Sequence, residues 1–336
     1  MKTAIVILNW NGREMLERFL PSVVRFSPGK DREIIVADNG STDDSLAFLT
    51  AQYPAIRQVI LDRNYGFAEG YNQALSQIQA DYFLLLNSDV EVTENWLDPL
   101  ETILDDDRII VAVMPKIRAY ADREKFEYAG AAGGFIDWLG YPFCRGRVLQ
   151  SVEKDNGQYD DNAREIFWAT GACMLVRREL FREFGGFDAS FFAHQEEIDL
   201  CWRWKSAGYQ VWVEPASTVY HVGGGTLSSD NPRKTYLNFR NNLAMLYKNL
   251  SGRSLGWILF FRLCLDGLSA LVFLLQGKIS HFQSVWQAHR AFFSMRKVLK
   301  SKRREIQKHR TTKPSCIYQG SIVWRYYTGR KTSPIK

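Results

Sequence analysis

Three acidic side chains crowd one short stretch, Phe191-Phe192-Ala193-His194-Gln195-Glu196-Glu197-Ile198-Asp199-Leu200-Cys201-Trp202-Arg203. A helix dipole favours acids at its start, but this cluster exceeds what capping needs. One of them suits a general base that takes a proton from an acceptor hydroxyl. Asp199 and Arg203 lie at i, i+4 and can pair on the helix. That leaves Glu196 and Glu197 for chemistry.

A second cluster is Leu84-Leu85-Leu86-Asn87-Ser88-Asp89-Val90-Glu91-Val92. Here an apolar strand ends in two oxygen-bearing side chains two positions apart, which face the same way in extended backbone. Asp89, with neutral Asn87 assisting, suits a hard divalent cation bridging a diphosphate; Glu91 is a weaker candidate, and a plain strand-end turn is the alternative. In Val219-Tyr220-His221-Val222-Gly223-Gly224-Gly225, His221 at a strand end beside glycines is a candidate further ligand, with a structural histidine as the alternative.

Two loops add binding chemistry. In Asp38-Asn39-Gly40-Ser41-Thr42-Asp43-Asp44-Ser45, the Asp38 carboxylate at a strand end suits a ribose hydroxyl or a base N–H, while Ser41 with Asp44 reads as a capping box. In Asn64-Tyr65-Gly66-Phe67-Ala68-Glu69-Gly70-Tyr71-Asn72, the glycines permit close backbone approach and the following helix N-terminus favours an anion. A tight turn with Asn caps is an equal alternative there.

The elements between these clusters fix their arrangement. Short β-branched or apolar runs at 4–8, 33–37, 57–61 and 82–86 alternate with helical spacing at 14–24, 43–52 and 68–78. This order predicts an α/β fold, a mostly parallel sheet with helices on both faces. Ligands then bind at the carboxyl ends of the strands. The polar groups after those strands (Asn9-Trp10-Asn11-Gly12, Asp38, Asn64 and Asn87-Ser88-Asp89) gather along one edge. Residues 166–176 read as an apolar strand re-entering the sheet, 197–206 as a helix, and 210–213 as a further strand. Trp138, Tyr141, Phe167 and Trp168 are equally suited to stacking on sugars or to a plain core.

The chain has 336 residues, with 43 Lys and Arg against 37 Asp and Glu, a net charge of +6; 46% of it is hydrophobic. Collagen-like and disordered classes are excluded. Five widely spaced cysteines without a C-x-x-C argue against a disulfide framework or structural zinc and fit a reducing cytosol. The first apolar run is too short for a signal-peptide core, so the N-terminal half is expected in the cytoplasm.

The cationic excess concentrates after residue 289, behind a strongly apolar run at 255–275 that carries Arg262 and Asp266. That run is long enough to span a bilayer. Basic residues on both flanks, however, favour helices lying in the interface or a shallow hairpin, with the basic stretch on anionic lipid. No recognisable nucleic-acid-binding fold accompanies it, so nucleic acid is not an expected partner.

In order along the chain, Val6-Ile7-Leu8-Asn9-Trp10-Asn11-Gly12, Asp38-Asn39-Gly40-Ser41, Asn64-x-Gly66-Phe67-Ala68-x-Gly70-x-Asn72, Leu86-Asn87-Ser88-Asp89, Thr170-Gly171-Ala172, Gly185-Gly186-Phe187-Asp188, Glu196-Glu197-Ile198-Asp199-Leu200 and His221 resemble family 2 of the inverting glycosyltransferases, GT-A fold, most of all its bacterial rhamnosyltransferase-like branch. The resemblance spans about residues 1–225, a catalytic domain, followed by a helical membrane-associating region at 226–336. It implies a nucleotide-sugar donor bound by Leu8, Asn9, Asp38, Asn64, Gly66, Asn72, Asn87 and Ser88. It also implies Mg²⁺ or Mn²⁺ held by Asp89 and His221, and Glu197, or Glu196 beside it, as the base. The acceptor it implies is a glycan or lipid-linked saccharide of bacterial envelope synthesis, at the cytoplasmic face of the inner membrane or in the cytoplasm. Asn87 replaces the first acid of an Asp-x-Asp motif, and Glu197 stands where the family usually has Asp. Two other functions compete. A sugar-phosphate nucleotidyltransferase would need a Gly-rich, Arg- and Lys-bearing loop after the first strand, which Asn9-Trp10-Asn11-Gly12 does not supply. A non-catalytic carbohydrate-binding protein would leave the metal-type strand end unexplained.

Overall fold

The computed structural model describes residues 2–223 and 230–335. The first half alternates as expected: β1 (Thr3–Asn9), α1 (Arg13–Phe26), β2 (Arg32–Asn39), α2 (Ser45–Gln52), β3 (Arg57–Leu61), α3 (Gly66–Ser76) and β4 (Tyr82–Asn87). Then follow β5 (Val90–Val92), α4 (Asp98–Asp106), β6 (Ile110–Ala119), β7 (Gly134–Asp137), β8 (Pro142–Cys144), β9 (Arg147–Val148), β10 (Ser151–Val152), β11 (Arg164–Ile166), β12 (Cys173–Arg177), α5 (Arg178–Glu183), α6 (Glu196–Ser206) and β13 (Gln210–His221). The last part holds α7 (Pro232–Asn249), α8 (Gly252–Leu275), α9 (Ile279–Ser294), α10 (Arg296–Lys308), β14 (Ile317–Tyr318) and α11 (Ile322–Tyr327).

The main sheet runs β11-β13-β6-β12-β4-β1-β2-β3, with β5 on β13. β4, β1, β2 and β3 are parallel, whereas β12 enters antiparallel between β4 and β6. Register aligns Asn9 with Asp38 and Leu8 with Asn87, so the predicted polar edge is formed. The central strands are buried on both faces, which their continuous Val, Ile and Leu runs require.

Three expectations change. Residues 166–176 are not one strand: β11 stops at Ile166 and β12 starts at Cys173. Between them Phe167 and Trp168 turn into the core, and the Trp168 ring lies against Gly134, where a Cβ has no room. The strand predicted at 210–213 runs on to His221, bulging between Glu214 and Thr218. The Ser41–Asp44 capping box does not form. Asp43 does the capping instead, accepting from Ser45 N (3.1 Å) and, with its other oxygen, from Arg13 N (3.0 Å), which ties the starts of α1 and α2 together.

The region after residue 225 is not a detachable tail. Lys248 of α7, 1% exposed, donates to Asp188 (2.5 Å) and Asp199 (2.9 Å), and Asn249 donates to Asp199 (2.7 Å). Lys302 of α10 also reaches Asp188. Burial alone would push the Asp188 carboxyl up, but the two ammonium groups outweigh it and hold it well below the usual range. β14 then pairs with β7, and Asp137 caps α11 by accepting from Ile322 N (3.0 Å). Removing one partner of a buried charge network costs about 3–5 kcal/mol. Lys248→Met, which removes the one cation shared by Asp188 and Asp199 and leaves Lys302 on the first and Arg203 on the second, should therefore lower the urea-unfolding midpoint, by less than this full amount. A midpoint equal to that of the native chain would show that the network does not hold the two halves together.

Candidate active site

On the β1–β2 side, Asp38 is buried and accepts from Asn9 Nδ2 (3.1 Å) and Ser41 N (2.9 Å). These bonds fix the carboxylate while leaving lone pairs to spare. Asn9 Oδ1 is buried and meets no donor of the protein. Gly12 lies directly over it, where a Cβ would collide with that oxygen and stand 3.5 Å from Ser88 Oγ. The edge therefore offers acceptors to a ligand N–H or O–H beside a gap that only glycine leaves open.

The next loop is more self-contained than its sequence suggests. Asn64 Oδ1 accepts from Gly66 N (2.7 Å), and Asn39 Oδ1 accepts from Tyr65 N (3.0 Å). The helix N-terminus expected to favour an anion is already filled. Phe67 N and Ala68 N donate to Phe192 O at 2.7 and 3.1 Å. Gly66 adopts φ +78, and a Cβ there would lie 2.8 Å from that carbonyl. Asn72 donates to Phe187 O (2.8 Å) and accepts from Phe187 N (3.0 Å), so its amide holds the 185–187 turn. Leu8 is half-buried and packs toward Gly70 of α3.

At the end of β4, Asp89 and His221 meet, with Oδ1 3.1 Å from Nε2. The Asn87 amide lies 3.4 Å from the same nitrogen. Antiparallel pairing of β13 with β5, His221 opposite Val90, brings a residue from the far end of the domain to this point. Burial would push the Asp89 carboxyl up, yet the His221 hydrogen bond and charge hold it below its ordinary value. Burial would lower His221; Asp89 and Glu127 more than offset this and push it up to about 10. Glu91 pairs with Arg123 (2.7 Å) and takes no part. Among the described residues no three His, Cys, Asp or Glu side chains cluster closely enough to hold a metal unaided. The carboxylate of Asp89, the His221 ring and the Asn87 amide are donors that would suit a hard cation completed by groups from outside the protein. Gly224 and Gly225, read with His221 in the sequence, lie outside the described residues.

Glu196 and Glu197 open α6, after a turn whose Phe192, His194 and Gln195 all have positive φ (66, 71 and 74°). Such backbone costs about 1–3 kcal/mol per residue and persists where its surroundings over-determine it. The surroundings here are α7. Asn241 Nδ2 faces Phe191 O (3.0 Å), Ala193 O (2.9 Å) and His194 O (2.8 Å), while Arg240 donates to Ser190 O (2.9 Å) and Phe191 O (3.0 Å). Both Glu Oε2 atoms are buried and find no donor. Burial and the neighbouring Glu197 push the Glu196 carboxyl well up, and burial pushes Glu197 to about 7. Glu196 is 4% exposed, whereas Glu197 is half-buried. Asp199 pairs with Arg203 (3.0 Å), as its spacing predicts.

The two ends of the site share neighbours. Asn87 N donates to Ala172 O (2.9 Å), and the Cys201 thiol, one helical turn after Glu197, meets the Ala169 backbone of the same loop. Lys234 on the first turn of α7 acts electrostatically on both His194 and Glu127.

Sequence reasoning missed Arg240, Asn241 and Glu127. Three consecutive polar residues, 240–242, between the apolar positions Leu237 and Leu243 were the available signal for the first two. Of the aromatic candidates, Phe167 and Trp168 belong to the core, Tyr141 is half-buried and Trp138 stays exposed. Phe167 packs on Trp202, Trp168 donates to Phe135 O (3.0 Å) in the core, Tyr141 lies under Arg262, and Trp138 meets Phe261.

N-acetylglucosaminyl-diphospho-decaprenol L-rhamnosyltransferase of Mycobacterium tuberculosis is 27% identical over 241 residues, 66% of this chain and 76% of that one. The fold resembles S. aureus TarS 1-349 in complex with UDP-GlcNAc (TM-score 0.56, 16% identity, 98% of this chain and 93% of that one). It also resembles GalNAc-T7 with UDP, GalNAc and Mn²⁺ (TM-score 0.56, 18% identity), covering 74% of this chain but only 48% of that one. These structures share the GT-A fold, a mixed α/β sheet flanked by helices. The Glycosyl transferase family 2 model matches residues 4–185, more than half of the sequence, and the chain belongs to that family.

Proposed function

We infer that this chain moves a sugar, with inversion, from a nucleotide-sugar donor to a hydroxyl of a lipid-linked glycan. One observation carries the reading: Glu197, half-buried at a helix start, has a buried carboxylate oxygen that meets no donor of the protein. Asn9 Oδ1 and Asp38 take the nucleoside, with Leu8 and Ser88 lining the gap. Asn64, Gly66 and Asn72 shape the loop around it. Asp89 and His221, with Asn87 beside them, hold a divalent cation, Mg²⁺ or Mn²⁺, which when bound stabilises charge on a diphosphate. Glu197 removes the acceptor proton, and the freed oxygen attacks the anomeric carbon. The bond to the diphosphate breaks on the opposite face, and its electron pair leaves with the nucleotide. The rhamnosyltransferase relative, whose name specifies a diphospho-decaprenol substrate, supports the lipid-linked acceptor. The catalytic unit is residues 1–225 together with α7, whose amides hold the turn before Glu197.

The surface of α8 supports a place on a membrane. Its buried positions, Ile258, Arg262, Asp266 and Ala270, form one seam at i, i+4 spacing. Arg262 donates to Leu139 O (3.1 Å) and lies 3.7 Å over the Tyr141 ring, while Asp266 faces His289 of α9 (3.4 Å). The charges thus turn inward, and Trp257 (70% exposed), Phe260, Phe261, Leu268, Leu271 and Leu275 turn outward. α8 is long and apolar enough to cross a bilayer. Its charged seam, turned against the protein body, favours lying along the interface instead. Arg296, Lys297, Lys300 and Arg304 of α10 remain exposed for anionic lipid. Lys302, Arg303 and Arg310, expected to join them, are taken up inside, by Asp188 and by carbonyls of α7.

Glu197→Gln should lower turnover by about 10²–10⁴-fold and leave donor binding intact, read by thermal shift against dTDP-, UDP- and GDP-sugars with Mn²⁺. Near-normal turnover would remove Glu197 as the base. The base works only when ionised. In the native chain kcat/KM should therefore rise with pH through about 7 and then level, a limb absent from any residual activity of the variant. Vesicles containing anionic lipid should sediment the protein, neutral vesicles less so. Trp257→Glu with Phe261→Glu should release it, and unchanged sedimentation of that double variant would exclude α8 as the contact.

A further inference from the structure

Behind the Asp89–His221 pair lies a carboxylate that the proposed reaction does not use. Glu127 is 6% exposed, and its Oε2 stands 3.4 Å from His221 Nδ1, the ring nitrogen facing away from Asp89. That nitrogen is buried and completes no hydrogen bond among the described residues, and Glu127 is the carboxylate that stands within reach of it. The backbone brings the two together. Glu127 N donates to Ile117 O (3.0 Å) on β6, and β6 pairs with β13 so that Ile117 is opposite Val219 and Ala119 opposite His221. The same carboxylate accepts from Ala129 N and feels the charges of buried Arg147 and of Lys234. Gly223 closes over it with φ +70, and a Cβ there would stand 2.6 Å from Glu127 Oε1.

A buried carboxylate is costly unless hydrogen bonds satisfy it, and the His221 ring nitrogen stands beside this one as a further donor. A histidine that binds a cation through one nitrogen must carry its hydrogen on the other, and an acceptor there fixes both tautomer and ring orientation. We propose that Glu127 is a positioning residue for the cation site: it accepts the Nδ1–H of His221 and so keeps Nε2 turned toward Asp89. This rests on the cation assignment made above. Glu127 touches neither donor nor acceptor in this scheme and acts only through His221.

Mn²⁺ titration of the full chain, following the free-ion EPR signal, tests it without reference to turnover. His221→Ala is the control. If it binds Mn²⁺ as the native chain does, the cation assignment fails and the role of Glu127 falls with it. With that control weakened, Glu127→Gln, which keeps the shape and loses the charge, should raise Kd by about 10-fold. Glu127→Met, which also loses the acceptor, should approach 100-fold. A ¹⁵N spectrum of the Mg²⁺-bound chain should show His221 protonated at Nδ1 in the native protein and a changed tautomer balance in Glu127→Met. A merely structural role would lower the melting temperature and leave Kd unmoved. A Kd for Glu127→Gln within twofold of native overturns the proposal, whether or not Glu127→Met folds.

Discussion

The side-chain amide of Asn241 faces three carbonyls of one turn, and the position of Glu196 and Glu197 follows from that contact. Left-handed backbone at three nearby non-glycine residues is unfavourable in isolation. An amide with two hydrogens fanned across Phe191, Ala193 and His194, backed by Arg240, offsets it. The same turn sends Phe192 O into the start of α3, so the loops after β3 and before α6 are clamped together. A helix absent from the first half of the sequence thus sets the geometry of a motif within the sheet domain.

Charge placement follows one logic throughout. Buried cations are spent holding backbone and carboxylates: Lys248 and Lys302 on Asp188, and Arg203 on Asp199. Carboxylates left without a donor occur at Glu196 and Glu197, where burial raises them toward the range in which a carboxylate can exchange protons near neutrality. Asp89 differs because His221 stands beside it, so it stays ionised under the same burial. Two environments thereby hold one buried acid ionised and raise two others.

The sheet edge was legible in the sequence because parallel strands report themselves as apolar runs and end in polar loops. Asp38, Asn87 and Asp89 needed only that regularity. The i, i+4 pair Asp199–Arg203 was legible for the same local reason. What escaped depends on long-range pairing. The extension of β13 to His221 passes through a bulge, and no local pattern announces that Glu127, nearly a hundred residues earlier, comes to rest behind the ring. At Gly66 the sequence left an anion site and a capped tight turn as equals, and a carbonyl from a distant loop takes the N–H groups that an anion would use. The basic stretch after 289 misled in part because a lysine or arginine reads alike whether it faces lipid or a buried carbonyl.

The hairpin tip at 138–141 is gripped from two sides. Arg262 of α8 holds Leu139 O and Tyr141, while Asn242 of α7 donates to Gly140 O (3.1 Å) and to Gln195 Oε1 (3.3 Å), next to Glu196. Were α8 to lie on a bilayer as proposed, this grip would hold Glu197 at a set height above the headgroups. The enzyme would then act as a ruler, reaching a sugar only a certain number of residues out from its lipid. Acceptor choice would be read partly as length, through the stiffness of one hairpin, rather than wholly through contacts with the sugar itself.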